Sequence, residues 1–375
     1  MTVARLVSLA AFALWVSPAF AAPPPRLEVL SRIDTGSQPK GVSVSPDGSR
    51  VYVTIFGRPD RDNVWVYDAR TMRRIGTVSF AGNAVESLPS PDGRTLYVTN
   101  FRRDRVEVID TRSLEVTGEI EVGKNPKTMA LSGDGKTLFV ANWSSHTVSV
   151  VDLERRRVVH TLRTAQNPRG LVATAEGRLF VASFGDDVID VFDQPRRAEQ
   201  RDRRLRVCAV PRHLVLSPDE RTLYVSCYRK SLLGAVDLTD WSVDRVPIGR
   251  SPKTIDISHD GRFVVSADYG EGTLSVVDTR TMAMRRTWID DLTMATGLAI
   301  SPTGQLRIYA TSFDRNVLFV IGPRHDQMPV DEPAVETSTH HHGQEPPSTA
   351  ERVRTEEAAA PPSAPDTSVA RLEDE

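Results

Sequence analysis

The turn Ser90-Pro91-Asp92-Gly93 and the apolar run Leu96-Tyr97-Val98-Thr99-Asn100 that follows it decide the fold, because both recur along the chain. Turns of this kind occur at intervals of about 42 residues, the spacing of a repeat built from four strands. Asp and Ser in such turns bond to the backbone, and a final glycine accepts a left-handed conformation without Cβ strain. The seven turns lie at residues 45–48, 90–93, 132–135, 174–177, 217–220, 258–261 and 301–304.

Each repeat contains four short runs rich in β-branched and aromatic residues, bounded by turn residues. Such runs are typical of strands, and four strands per repeat are typical of a propeller blade. We therefore predict an all-β fold, a seven-bladed β-propeller of four-stranded antiparallel blades. The seventh repeat lacks its fourth strand, and residues 26–36 match that strand in the other repeats. We expect this N-terminal strand to close the ring, which removes exposed sheet edges.

The two ends of the chain differ in composition from the repeats. Residues 1–21 contain Arg5, an apolar stretch and the small-residue pattern Ala19-Phe20-Ala21, which predicts a cleaved signal peptide. A buried helix or an uncleaved anchor is the alternative. Residues 22–324 form the predicted propeller. Residues 325–375 hold three Arg against twelve Asp and Glu, and seven prolines, so we predict a disordered acidic tail.

Overall composition bounds the class of protein. The chain has 375 residues, a formal net charge of −2, 39% hydrophobic residues and two cysteines. These values exclude a collagen-like, a disulfide-dense or a polytopic membrane protein. With the leader removed, we expect no transmembrane segment and a periplasmic or secreted location.

The run Leu96-Tyr97-Val98-Thr99-Asn100, with its Ser-Pro-Asp-Gly turns and Val-Ile-Asp-Thr strand endings, resembles the YVTN-repeat, YncE-like family of β-propellers. The resemblance covers roughly residues 26–323 and implies the same seven-bladed fold. It also implies export, since members of the family are typically periplasmic or surface-associated. It leaves function open, because seven-bladed propellers host binding proteins, lactonases and redox enzymes.

A basic residue follows a proline at the start of the innermost strand in most repeats. If these side chains converge near the axis, they focus positive potential at one end of the ring. We call them the basic cluster and predict an anion-binding site, with bonding to loop carbonyls as the alternative. The basic cluster consists of Lys40, Lys127, Arg169, Arg212 and Lys253.

An aromatic residue occupies one register position in all seven repeats, directly after the second strand. The first interpretation is packing between neighbouring blades, since aromatic side chains bury a large area. The second is a rim of stacking surfaces around the same end of the ring. This aromatic rim consists of Phe56, Phe101, Trp143, Phe184, Tyr228, Tyr269 and Phe313.

Few residues suggest catalysis or a metal. Glu86, His213 and Asp256 are the candidate metal ligands on the innermost strands, fewer than a metal-dependent lactonase requires. We predict no catalytic residue, no bound metal and no cofactor. Cys208 and Cys227 are placed by their register at the same face and form a candidate disulfide in an oxidising compartment; two buried free thiols are the alternative.

The preferred functional hypothesis is an exported, non-catalytic scaffold that presents a basic, aromatic-rimmed face to an anionic small molecule, glycan or protein. A metal-dependent lactonase or hydrolase acting at the same place, and a structural component of the cell envelope, are the alternatives. We expect a monomer. Paired arginines such as Arg155-Arg156 raise nucleic acid as a further partner, which an exported location disfavours.

Overall fold

The structure is a computed structural model and describes residues 23–198 and 200–324. The predicted signal peptide and the predicted acidic tail lie outside the described residues. The described part of the chain is built from strands, without helices, and therefore offers no helix long and apolar enough to cross a membrane.

Strands are numbered in chain order. The first half of the chain contains β1 (Leu27–Asp34), β2 (Pro39–Val44), β3 (Arg50–Ile55), β4 (Val64–Asp68), β5 (Arg74–Val78), β6 (Ala84–Pro89), β7 (Thr95–Asn100), β8 (Arg105–Asp110), β9 (Glu115–Glu121), β10 (Pro126–Leu131), β11 (Thr137–Asn142), β12 (Thr147–Asp152) and β13 (Arg157–Arg163). The second half contains β14 (Pro168–Ala173), β15 (Leu179–Ser183), β16 (Val188–Phe192), β17 (Arg203–Leu205), β18 (Pro211–Leu216), β19 (Thr222–Cys227), β20 (Leu232–Asp237), β21 (Val243–Pro247), β22 (Pro252–Ile257), β23 (Phe263–Asp268), β24 (Thr273–Asp278), β25 (Met284–Trp288), β26 (Ala295–Ile300), β27 (Ile308–Ser312) and β28 (Val317–Pro323).

These strands form seven four-stranded antiparallel sheets, which confirms the predicted seven-bladed β-propeller. Blades 1 to 6 each use four consecutive strands, from β2–β5 in blade 1 to β22–β25 in blade 6. Blade 7 combines β26, β27 and β28 with the N-terminal β1. The pairing of β1 with β28 runs from Leu27 opposite Pro323 to Asp34 opposite Val317. The N-terminal strand thus closes the ring, as predicted.

The repeated turn explains why each unit folds locally. In the first blade, the Ser45 hydroxyl donates a hydrogen bond to Asp47 Oδ1 at 2.5 Å and accepts one from the Arg50 N–H. Gly48 ends the turn with φ of 71°, in the left-handed region that favours glycine. Hydrogen bonds from Ser45 and Ser49 lower the pKa of the Asp47 carboxyl, because they favour its charged form.

The hydrophobic core is divided among the seven interfaces between adjacent blades. One cluster packs Leu274 of blade 6 against Ile308 and Phe319 of blade 7. Another packs Val51 of blade 1 against Tyr309 of blade 7, across the point of ring closure. Each blade is therefore stabilised by both of its neighbours, as expected for a closed repeat protein.

Substitution in the closing strand tests how much closure contributes to stability. Leu27 is buried in the cluster between blades 6 and 7, whereas Leu30, on the same strand, is 43% exposed. We expect Leu27→Ala to lower the free energy of unfolding by about 2–4 kcal/mol, and the control Leu30→Ala to change it by about 0.5 kcal/mol or less. Urea denaturation measures both values. Equal effects of the two substitutions would show that burial of the closing strand does not stabilise the fold.

Candidate functional site

The basic cluster and the aromatic rim lie at the same face of the ring, because both occur where a blade's first strand begins and its second strand ends. In all seven blades the backbone N–H of the rim residue donates to the carbonyl of the residue before the innermost strand. The Phe56 N–H bonds to Gln38 at 3.0 Å, and the Trp143 N–H bonds to Asn125 at 3.2 Å. We call this end of the ring the mouth, formed by the basic cluster and the aromatic rim.

A break in the innermost ladder accompanies each basic residue. In β2 the pairing with β3 shifts register between Pro39 and Val42, and Lys40 lies in the shifted segment. The same shift occurs at the start of all seven innermost strands. A β-bulge of this kind redirects side chains at the end of a sheet. The repeat therefore changes the direction of the second residue of each innermost strand, which is the position of the basic residue.

Threonine hydroxyl groups on the second strands of blades 1 and 2 link the starts of neighbouring innermost strands. Thr99 of blade 2 accepts the Glu86 N–H at 3.0 Å and donates to the Lys127 carbonyl of blade 3 at 2.8 Å. Thr54 of blade 1 makes the equivalent bond to the Val85 carbonyl of blade 2 at 2.8 Å. The threonine that follows Tyr-Val in these two blades therefore links the innermost strand of its own blade to that of the next.

The structure brings the five members of the basic cluster together. Lys40, Lys127, Arg212 and Lys253 are between 1% and 7% exposed, and Arg169 is partly buried. Burial lowers the pKa of Lys127 well below its ordinary value, and the charges of the other four members lower it further. Basic groups from blades 1, 3, 4, 5 and 6 thus act on one another across the mouth.

The aromatic rim packs against the basic cluster. Lys40 Nζ lies 4.3 Å from the ring centroid of Phe56 and 5.6 Å from that of Phe313. Lys127 Nζ lies 4.4 Å from the centroid of Trp143, and Lys253 Nζ lies 4.0 Å from that of Tyr269. Such cation–π contacts stabilise a buried ammonium group.

The rim residues also contact one another between neighbouring blades. The ring centroids of Phe56 and Phe101 are 6.1 Å apart, and those of Trp143 and Phe184 are 5.4 Å apart. The aromatic residues therefore pack between neighbouring blades at the mouth, and their role as stacking surfaces for a ligand stays a prediction. The faces of several of these rings contact basic side chains of the same protein.

An acidic side chain lies beside the gap in the basic cluster at blade 2. Val85 takes the basic position there, and Glu86 follows it. Burial raises the pKa of Glu86 to about 7, while Arg169 and Lys40 act in the opposite direction. A partly buried acid thus lies within the field of the basic cluster.

The three candidate metal ligands, Glu86, His213 and Asp256, do not form one group, and each has its own surroundings. The Asp256 carboxylate accepts the N–H groups of Ile257 at 2.8 Å and Ile300 at 2.7 Å, and burial raises its pKa to about 6. Burial, with help from Arg169, lowers the pKa of His213 to about 4, so this imidazole is neutral at pH 7. Across residues 23–198 and 200–324, no group of three or more His, Cys, Asp or Glu side chains is placed to hold a metal.

A disulfide bond joins Cys208 to Cys227, with their Cα atoms 5.8 Å apart. It connects the segment between blades 4 and 5 to the end of β19. Cys227 immediately precedes Tyr228 of the aromatic rim, and Cys208 lies four residues before Arg212 of the basic cluster. The bond therefore lies at the edge of the mouth.

Sequence reasoning missed the asparagines that connect adjacent blades at the mouth. The Asn83 side-chain amide donates to the Phe56 carbonyl at 2.6 Å, and the Asn125 amide donates to the Phe101 carbonyl at 3.0 Å. Asn125 and Asn167 directly precede the proline of an innermost strand. The recurrence of Asn-Pro before a basic residue is the signal that could have identified this link.

Together, the fold and the mouth define a seven-bladed propeller with a basic, aromatic-lined end. The model of the YNCE-like beta-propeller family matches residues 28–290, and the chain belongs to this family. No curated protein sequence matches the chain significantly.

Solved structures are similar in fold. One is Kuenenia stuttgartiensis hydrazine synthase, with a TM-score of 0.66, 20% identity, and coverage of 78% of this chain and 97% of that one. Another is a chain from a crystal structure of the mitotic checkpoint complex, with a TM-score of 0.69, 15% identity, and coverage of 85% of this chain and 98% of that one. At these identities the likeness shows the fold alone.

The raised pKa of Glu86 predicts a pH-dependent effect on stability. Between about pH 4.5 and 7 the folded protein retains a proton that the unfolded chain has lost, so rising pH lowers the free energy of unfolding across this window. Glu86→Gln removes this contribution. The variant should therefore gain stability over the parent as pH rises to about 7, with no further gain above it.

Thermal denaturation between pH 4 and 8 measures this difference. Glu115→Gln, on the exposed part of outer strand β9, is the matched control for the change in charge. A Glu86→Gln effect that is constant with pH would show that Glu86 does not titrate in this window.

Proposed function

We propose that the protein is an exported, non-catalytic binding protein that holds an anionic ligand or an anionic segment of a protein partner at the mouth. The observation that carries this proposal is that five basic side chains from five blades lie over the aromatic rings of one mouth, and the charges of the other four lower the pKa of Lys127 further than burial alone. Like charges brought together in a partly desolvated site repel one another. A bound anion would replace that repulsion with attraction.

The contacts of the aromatic rim favour a particular ligand chemistry. The ring faces of Trp143, Phe56 and Tyr269 carry Lys127, Lys40 and Lys253, so an incoming ligand meets charged groups. Carboxylate, phosphate and sulfate groups accept charge-assisted hydrogen bonds from Lys and Arg. We therefore propose a ligand with several negative charges, such as a polycarboxylate, an anionic glycan or an acidic peptide.

Two features support the proposed export. Residues 1–21 have the charge, apolar stretch and cleavage pattern of a signal peptide. Disulfides such as Cys208–Cys227 persist in oxidising compartments and are rare in the cytosol. We propose a periplasmic or secreted monomer. Purification of the mature protein tests both claims, because the mass of the chain reports whether residues 1–21 are removed and the mass of the native particle reports whether it is a monomer.

Arg169 offers the sharpest test of the binding site, because it is partly exposed and its charge acts on Lys127, Glu86 and His213. Hydrogen bonds to charged groups contribute about 1.5–3 kcal/mol, so Arg169→Gln should weaken binding by about ten- to a hundred-fold. Calorimetric titration with citrate and with hexaglutamate at low salt measures the affinity.

Arg70→Gln provides the matched control. Arg70 is exposed in the turn after β4, at the opposite face of the ring, so the same loss of charge should change affinity less than about two-fold. Citrate and hexaglutamate that fail to bind the parent, or bind both variants equally, would refute an anion site at the mouth.

A further inference from the structure

The segment that leads into blade 5 lacks the asparagine that precedes the innermost strand in blades 2, 3 and 4. Val210 takes the position held by Asn125 in blade 3 and Asn167 in blade 4, and it has φ of 56°. A β-branched residue in the left-handed region is conformationally unfavourable. Valine also lacks the amide with which Asn125 and Asn167 bond to the rim residue of the preceding blade. The surroundings must therefore hold this segment by other means.

Three connections hold this segment, and the two hydrogen bonds among them have counterparts at Asn125 in blade 3, whereas the disulfide is specific to blade 5. The Val210 N–H donates to Asp187 Oδ1 at 2.7 Å, and the Val210 carbonyl accepts the Tyr228 N–H at 3.0 Å. The third connection is covalent, since Cys208 is bonded to Cys227 at the end of β19. Among these connections the disulfide alone can be broken and restored by redox chemistry.

Both residues of the mouth that blade 5 supplies lie next to these connections. Arg212 follows Val210 by two positions and is 1% exposed, the most deeply buried member of the basic cluster. Its guanidinium carbon lies 4.9 Å from the ring centroid of Tyr228 and 5.7 Å from that of Phe184. Tyr228 directly follows Cys227. A shift of the Cys208 segment relative to β19 would therefore move Arg212 relative to the ring that it packs against.

We propose that the Cys208–Cys227 disulfide is a positioning element of the anion site, which holds Arg212 and Tyr228 in the arrangement that binds the ligand and makes affinity dependent on redox state. This inference rests on the proposed function. Reduction by a dithiol transfers two electrons and two protons, breaks the sulfur–sulfur bond, and leaves two cysteine thiols and the oxidised, cyclic reductant. Cys208 is the partly exposed member of the pair, so its sulfur is the accessible point of attack.

A double-mutant cycle distinguishes this role from a purely structural one. Cys208→Ser with Cys227→Ser should weaken binding of citrate by about ten-fold, the factor that corresponds to 1.4 kcal/mol. In an Arg212→Gln background the same pair of substitutions should weaken the affinity for citrate by less than about two-fold, because the side chain that the disulfide positions is already absent. In an Arg169→Gln background the ten-fold loss should remain. Circular dichroism at the titration temperature establishes that each variant is folded.

A rescue variant tests the same idea in the opposite direction. Val210→Asn, added to the double-serine variant, supplies the amide link that Asn125 and Asn167 make, and it should restore most of the lost affinity. If the double-serine chain does not fold, titration of the native protein before and after reduction by dithiothreitol replaces it, with the same ten-fold loss expected.

The outcomes separate the two proposals. Failure of the parent to bind citrate and hexaglutamate would refute the proposed function itself. Binding by the parent together with an unchanged affinity after loss of the disulfide, or with an equal loss in the Arg212→Gln background, would overturn the positioning role alone.

Discussion

The pairing of β1 with β28 is the constraint on which the rest of the structure depends. It makes blade 7 from the two ends of the propeller segment and places blades 7 and 1 side by side. Lys40 shows the consequence, because its ammonium group lies between Phe56 of blade 1 and Phe313 of blade 7. Without ring closure, basic residues that are more than two hundred positions apart in sequence, such as Lys40 and Lys253, would not share a site. The mouth is therefore a product of closure.

The mouth also shows how the fold accommodates an unfavourable arrangement of charge. Burial and mutual repulsion oppose the charged state of Lys127, whereas the quadrupoles of Phe101 and Trp143 favour it. Register shifts at the start of the innermost strands, together with the threonine bond from blade 2 to Lys127 of blade 3, hold these groups in place. The hydrophobic clusters between blades supply the stability that offsets this local cost. A rigid, closed scaffold with an electrostatically unfavourable mouth is an arrangement suited to binding an anion.

Much of the fold could be predicted from the sequence, because the period of the Ser-Pro-Asp-Gly turns gives the number of blades, and residues 26–36 match the missing strand. The position of Lys127 after Pro126 likewise predicts its convergence with the other basic residues. The depth of burial could not be predicted, since it depends on the register shift and on rings contributed by neighbouring blades. The environment of Glu86 depends on Arg169, which lies two blades away. The left-handed backbone at Val210 could not be predicted either, because valine does not indicate that conformation. Apart from the recurrent Asn-Pro of the asparagine links, contacts across blade interfaces leave no local pattern in the sequence.

The central claim, that basic groups from separate blades form one site for an anion, is tested most directly by titrating the Lys127 ammonium group. Nuclear magnetic resonance of protein labelled at the lysine side chains follows its pKa with and without saturating citrate. We expect a pKa well below the ordinary 10.5 in the free protein, and a marked rise when the anion binds. A Lys127 that titrates near 10.5 and does not respond to the anion would show that the basic groups do not form one anion site.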